Sequence, residues 1–351
     1  MDSQTSPDPR GGGTNVLWED GERILSREAF PDGDGSPHNF LTLRLASPYP
    51  RPTSIAQLEN EYQLRDYLDS AWAVLPKEFV RERDKTMLIL SDPGGEGLDR
   101  KLGKPMPILQ FLHLAIETVA AVRQMHRTGL IHKNLRPIHI LADSAGVNVH
   151  LTGFGHASRL PRERQALDPP EFIAGTLLYM APEQTGRMNR SIDSRSDLYT
   201  LGVIFYQMLT GELPFPTSDP LELIHCHIAR APLPPHERIP SIPATISKIV
   251  TKLLAKTADD RYQTAAGVEY DLGLCLAGLQ TGGHINPFDV GCFDIPDRLL
   301  MPERLYGREL AIASLVDAFG RVSTTGTPEL VTICGHSGVG KSTLFDLAPL
   351  K

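Results

Sequence analysis

The segment ILQFLHLAIETVAAVRQMHRTG, residues 108–129, carries apolar side chains at helical spacing along its length and closes on Gly129. That pattern predicts a long scaffold helix whose apolar face has to be covered by the rest of a large domain. Before it, NVLW, ERILS and NFLTLRLA are short apolar or alternating runs separated by Gly, Asp and Pro turns, the pattern of a small antiparallel sheet. SIAQLENEYQLRDYLD changes to helical spacing, with Ile55, Leu58 and Tyr62 near one face and Leu64 off it, and TMLILSD reads as a strand ending at an acidic, Gly-rich turn. After it, LIHKNLRPIHIL and VNVHLTGFG are short β-type pieces around a tight loop. SDLYTLGVIFYQMLTG is a second strongly apolar helix, and LELIHCHIA, ATISKIVTKLLAK and TAAGVEYDLGLCLAGL are further helices interrupted by the Pro-rich APLPPHERIPSIP. A small sheet with one helix, then a largely helical region, is an α+β organisation in two lobes.

The 351 residues leave room for two or three folding units. Residues 1–14 are polar and rich in Gly and Pro, which predicts a flexible leader, with structure starting near Asn15. One domain is expected over 15–280, its small lobe about 15–95 and its large lobe about 96–280. TGGHINPFDVGCFDIPDRLL then loses periodicity, which predicts a linker over 281–303. From about Arg304 the chain turns regular again: RELAIASLVDAFGRV reads as an amphipathic helix, and ELVTIC as a strand leading into GHSGVGKST. The formal charge of -7, from 35 Lys plus Arg against 42 Asp plus Glu, gives no broad electrostatic reason to expect a nucleic-acid partner. Cys226, Cys275, Cys292 and Cys334 stand singly, with neither zinc-knuckle spacing nor a disulfide framework. No signal-peptide core and no bilayer-length apolar run are present, so a cytoplasmic setting without a membrane segment is expected.

The order IHKNLRPIHIL, LTGFG, GTLLYMAPE, SDLYTLGV and DDRYQT resembles the carboxyl lobe of Ser/Thr protein kinases, and the resemblance extends over roughly residues 15–280. It implies the α+β two-lobed protein-kinase-like fold. It also implies that Glu183 of APE forms a buried ion pair with Arg261, that Asp197 accepts backbone hydrogen bonds near the catalytic loop, and that Gly202 permits close helix packing. These are structural roles and need no chemistry.

The positions that carry chemistry in the family are changed. Kinases place a carboxylate near the substrate hydroxyl and hold magnesium with an Asp and an Asn. By the resemblance, the catalytic Asp corresponds to Asn134, an amide that cannot act as a carboxylate base. The metal-binding Asn corresponds to His139, a poor match for oxygen-seeking magnesium, and the metal-binding Asp to Gly153. No G-x-G-x-x-G occurs in the first strands, and SREAF sits where that loop is expected. LTLR resembles the strand that carries the family's lysine, with Arg44 in its place and Glu59 or Glu61 as partner, where Arg44 would contact a phosphate or brace the lobe. By the resemblance, Arg136 replaces the loop lysine and Thr176 lines the substrate-side loop, where it could equally be a hydrogen-bonding turn residue. The expected function is therefore a degenerate, pseudokinase module with a regulatory or scaffolding role. The alternative is an active noncanonical Ser/Thr kinase that borrows a carboxylate such as Asp168 or Glu171.

Gly335 to Ser342, GHSGVGKS, is a complete P-loop match in strand-to-helix context. Backbone N–H groups around Gly335, Gly338 and Gly340 would cradle phosphate. Lys341 would reach the terminal phosphates, and Ser342, followed by Thr343, would ligate magnesium. ATP and Mg2+ are the cofactors expected there. The chain ends ten residues after Lys341, and Asp346 is too close to the P-loop to act as a second-strand carboxylate, so a truncated α/β P-loop NTPase fragment over 304–351 is expected. Together with APEQTGRMNRSIDSRSDLY, DPLELIHCHIA and LYGRE, the chain resembles the amino end of large bacterial and fungal signalling proteins. These join a Ser/Thr-kinase-like domain to an AAA or STAND ATPase and a sensor (hybrid) histidine kinase. The resemblance implies phosphorelay signalling, with downstream ATPase and histidine-kinase modules as partners.

Overall fold

Strand-forming residues dominate the first ninety positions and helix-forming apolar stripes the next two hundred, and the chain folds accordingly. The computed structural model describes residues 15–31, 37–82, 85–159, 177–187, 190–296 and 309–336. β1 (Asn15–Glu19), β2 (Arg23–Pro31), β3 (Pro37–Leu45), β4 (Pro76–Glu82) and β5 (Lys85–Ser91) form one antiparallel sheet in the order β1-β2-β3-β5-β4. β4, the run PKEFVRE, was not singled out by its sequence, because charged residues at an exposed edge mask its alternation. Leu25, Leu41, Leu43, Leu88 and Leu90 are fully buried. α1 (Pro52–Gln63) covers them with Leu58. Its buried face is Ser54, Leu58 and Glu61, and Leu64 lies off the helical stripe because the α-helix stops at Gln63 and a 3-10 turn takes over.

SREAF lies inside β2 rather than in a loop. The connection between β1 and β2 is the tight turn Asp20–Gly21–Glu22, with Gly21 at a φ of 85°. β6 (Glu96–Gly97) leads into α2 (Ile108–Arg127), the long scaffold helix, which buries Phe111, Leu112, Leu114, Ala115, Val119, Val122 and Met125 and ends at Gly129 with φ 83°. β7 (Ile140–Ala142) and β8 (Val149–Leu151) extend β6 into a second small sheet.

α3 (Ser194–Thr210) follows, then α4 (Pro220–Ala229), α5 (Pro235–Arg238), α6 (Ala244–Leu253) and α7 (Ala265–Gly282). α3 is buried along nearly its whole length, including Tyr199, Phe205 and Tyr206. A Cβ at Gly202 would stand 2.8 Å from Leu253 Cβ on α6. Gly202→Ala is expected to destabilise the domain by about 1–3 kcal/mol, because a close-packed helix pair has no slack for an added methyl. Urea denaturation reads this directly, and an unchanged midpoint would show that α6 yields freely.

The segment after α7 belongs to the large lobe as far as Pro296, where a linker was expected. Ile285, Phe288 and Val290 pack on the large-lobe core, Gly291 N–H donates to Asp271 at 2.7 Å, and Asp294 accepts from Thr264 N at 2.9 Å. Sparse but well-placed apolar residues anchor it without periodicity, which is why pattern reading takes it for a linker. α8 (Glu309–Thr325) matches the expected amphipathic helix. Residues 329–334, ELVTIC, form no strand, and Leu330 is exposed. A lone apolar run has no ladder to join, and no strand lies beside it among the described residues. The P-loop positions Gly338, Gly340, Lys341, Ser342 and Thr343 lie outside the described residues, as do Asp168, Glu171 and Thr176, while Gly335 is described without regular structure.

Candidate functional site

The loop between Ile131 and Ile140 is held from beneath by one carboxylate. Asp197, fully buried near the start of α3, accepts from the backbone N–H of His132 and of Lys133, each at 2.9 Å, and lies 2.9 Å from His126 Nε2. Burial opposes its ionisation, but the His126 contact and the backbone donors outweigh it and hold its pKa below the ordinary carboxylate value. Lys133 accordingly takes a left-handed φ of 62°, and its carbonyl accepts from Gln184 Nε2 at 2.6 Å. Gln184 follows Glu183, whose two oxygens meet Arg261 Nη1 at 2.7 Å and Nη2 at 2.8 Å, both residues buried.

Asn134 is buried at this loop, and its amide Oδ1 has no hydrogen-bond partner among the described residues. His139 is also fully buried. Its Nδ1–H donates to the Asn134 carbonyl at 2.7 Å, and its Nε2 accepts from Arg136 Nη2 at 3.1 Å. Burial, reinforced by the charges of Arg136 and His132, pushes the imidazole far toward its neutral form. Both ring nitrogens are therefore engaged, and His139 has no lone pair left for a cation.

Gly153 explains why this histidine fits. Its φ is 80°, and a Cβ there would lie 2.7 Å from His139 Cδ2 and 2.8 Å from Nε2. The loss of a side chain at 153 and the presence of a ring at 139 are one steric arrangement. A carboxylate in the place of Gly153 would occupy the ring's space. The residues present do not fit a protein-held magnesium here, and no group of three His, Cys, Asp or Glu suited to a metal occurs among the described residues.

Of the two glutamates expected as partners of Arg44, Glu59 pairs with Arg81 at 3.1 Å on the surface. Glu61 is fully buried, and its Oε1 accepts from Gly153 N at 3.2 Å. Burial raises its pKa against the opposing effects of Arg23 and of the backbone N–H groups of residues 153–155. Asn60 strengthens the same junction by donating to the carbonyls of Gly155 and Ala157. α1 is thus fastened to the Gly-Phe-Gly turn.

Arg44 itself is exposed, opposite Ile24 in the β2–β3 ladder. The cation near Glu61 is Arg23, at the start of β2, which the sequence reading overlooked. Arg23 lies on the same strand face as Leu25, and a charged residue sharing the parity of a buried leucine was the available signal. Arg23 and Arg136 both donate to Asp20 Oδ2, at 2.9 and 3.1 Å. Arg23 also lies over the Trp18 ring, and Trp18 meets His139 edge to face with centroids 5.5 Å apart. Beside them Leu17, Leu25, Leu41 and Leu43 pack with Leu141 from β7, so the small-lobe core continues across to the catalytic-loop side. A turn with an acidic tip and a tryptophan thus closes over the loop that carries Asn134 and His139.

This order of elements, with a loop braced by Asp197, a Gly-Phe-Gly turn against a helix glutamate and a buried Glu–Arg clasp, defines a protein kinase domain. The chain belongs to the protein kinase domain family, whose match covers residues 49–271. It is 36% identical over 201 residues to hybrid signal transduction histidine kinase G of Dictyostelium discoideum, covering 52% of this chain and 6% of that protein. It is 34% identical over 168 residues to serine/threonine-protein kinase PknB of Mycobacterium leprae, covering 48% of this chain and 26% of that protein. The PknB of Mycobacterium tuberculosis is 32% identical over the same length. The chain thus spans about a quarter of the PknB proteins and much less of the histidine kinase. No described helix is long and apolar enough to cross a membrane.

Proposed function

We propose that the kinase domain is a pseudokinase that regulates or scaffolds a signalling protein. The observation that carries this reading is the pairing of His139 with Gly153, which puts a neutral, fully hydrogen-bonded ring where the family holds its metal. Asn134 supplies no base, and Arg136 is committed to Asp20. Electrostatic stabilisation of a transferring phosphoryl group rests on those missing charges. A further part of the proposal is that residues 304–351 begin an AAA or STAND ATPase domain. Its P-loop, Gly335 to Thr343, would bind ATP and Mg2+ through Lys341 and Ser342. The likeness to a hybrid histidine kinase supports a place in histidine-kinase signalling, and the proposal adds downstream ATPase and histidine-kinase modules in a cytoplasmic phosphorelay.

The second reading is an active Ser/Thr kinase that transfers the ATP γ-phosphate by a noncanonical arrangement. It is favoured by the likeness to the PknB proteins. Labelled γ-phosphate transfer from magnesium ATP to a generic Ser/Thr substrate, and to the protein itself, separates the two. The Lys341→Ala chain is used so that the P-loop does not contribute. The expected result is no transfer above a heat-denatured control. Loss of a general base alone removes roughly 10²–10⁴-fold, before the metal is counted. Stoichiometric transfer that disappears on changing Asn134 would establish the active reading.

A further inference from the structure

A cavity of about 370 Å³ opens on the large lobe between the end of α2, the start of α3 and the start of α7, with Pro296 on its rim. Leu130, Ile131 and Ala265 form its buried floor, and nothing lies within 4 Å of where a Cβ of Gly129 would stand on its wall. That volume suits a small organic molecule. The acid that lines it is already matched, because Asp193 accepts from Arg195 Nε at 3.0 Å and Nη2 at 2.7 Å. Arg123 is matched as well, its Nε lying 2.7 Å from Glu269 Oε2. Arg127 is the surplus charge: it is exposed, and its contact to Gln124 Oε1 is long, at 3.5 Å. His126 donates from Nε2 to Asp197 Oδ2 at 2.9 Å, and its Nδ1 has no hydrogen-bond partner among the described residues. The first turn of α7 is capped from within, since Thr264 N donates to Asp294 at 2.9 Å and Gly267 N to Thr264 Oγ1 at 3.0 Å. What the cavity offers a ligand is therefore an apolar floor under a cationic edge.

We propose that this cavity is a regulatory binding site for a small amphiphilic carboxylate, its apolar body on Leu130, Ile131 and Ala265 and its charge between Arg127 and His126. A guanidinium–carboxylate contact fixes the orientation, and burial of the apolar body supplies most of the affinity. An apolar pocket with a few convergent polar groups is the usual form of a small-ligand site. His126 links occupancy to the catalytic loop. One edge of its ring would meet the ligand while the other holds Asp197, the carboxylate that accepts from the N–H groups of His132 and Lys133, each at 2.9 Å. A ligand that fixes the ring would stiffen that brace. Pro296 carries the same occupancy to the chain that leads toward α8. The cavity shares no lining residue with the cleft around Asn134, His139 and Gly153, so its occupancy is measured independently of phosphate transfer.

The test uses the full chain, with 1-naphthoate as probe and neutral 1-naphthamide as its uncharged twin, titrated by calorimetry. Naphthoate should bind saturably and at least about threefold more tightly than the amide, and Arg127→Gln should remove most of that preference. Ala266→Trp, at an exposed position on the cavity wall, should fill the space and abolish binding. In the native chain, naphthoate should give NOEs to the Ile131 and Ala265 methyl groups, which locate the probe even if Ala266→Trp fails to fold. At saturation it should also slow hydrogen exchange at the His132 and Lys133 amides by about threefold or more. No saturable binding, equal binding of the amide, binding that survives Ala266→Trp, or NOEs to other residues alone overturns the site. Binding in the cavity that leaves both amides unchanged overturns its regulatory role.

Discussion

Arg261→Ala should destabilise the kinase domain by about 3–5 kcal/mol, among the largest losses a single side chain can cause. Arg261 is 1% exposed and Glu183 3%. Besides the two contacts to Glu183, the guanidinium donates to the carbonyls of Ala255, Lys256 and Arg195. Truncation leaves a carboxylate buried with Ser196, at 2.7 Å, as its remaining side-chain donor among the described residues. The acid limb of the stability curve tells this apart from simple loss of packing. Burial alone would raise the pKa of Glu183, but Arg261 and Ser196 outweigh it, and the native pKa lies below the usual value. Its contribution is therefore fully present above the unfolded pKa, about 4.3, and is lost as pH falls through the lower folded value. In Arg261→Ala burial is no longer offset and the sign reverses, so the variant should recover part of its lost stability on acidification. Urea denaturation from pH 7 down to about 2.5, past the ordinary carboxylate value, measures both. A variant that loses stability in parallel with the native chain would mean that the pair contributes no charge term.

Restoring a carboxylate at Gly153 should fail alone and succeed better in company. Gly153→Asp places a side chain at a φ of 80° and 2.7 Å from a ring anchored by Asn134, Arg136 and Trp18. Left-handed backbone and overpacking together predict a loss of roughly 2–4 kcal/mol. His139→Asn, with its smaller side chain, removes the obstacle while losing the ring's own contacts. The double variant should therefore be more stable than the sum of the two single losses predicts, by at least about 1 kcal/mol of coupling. Denaturation midpoints of the four proteins complete the cycle. Additivity within about 0.5 kcal/mol would show that the two substitutions are independent accidents rather than one steric unit.

Much of this molecule is written in short-range pattern. The apolar stripes of α2, α3 and α7 announce themselves because helical spacing repeats every turn regardless of what lies across the core. Asn134, His139 and Gly153 can be named from linear order alone, since each sits at a fixed offset within a short motif. Side-chain facing along a strand is different in kind. Arg23 and Arg44 are both cations in apolar strands, but a shift of one residue in register exchanges buried for exposed, and only the paired sheet places Arg23 within and Arg44 without.

The docking of 284–296 on the large lobe, and the absence of a strand at 329–334, also depend on whether a partner surface exists, which no local window contains. Above all, Asp20 and Arg136 stand 116 residues apart in the chain and 3.1 Å apart in space. The sequence by itself determined that this is a kinase domain with Asn134, His139 and Gly153 at motif positions, because those features are periodic or contiguous. The closure of the β1–β2 turn over the catalytic loop was decided only in three dimensions, because burial, ion pairing and steric exclusion act between residues that the chain order keeps far apart.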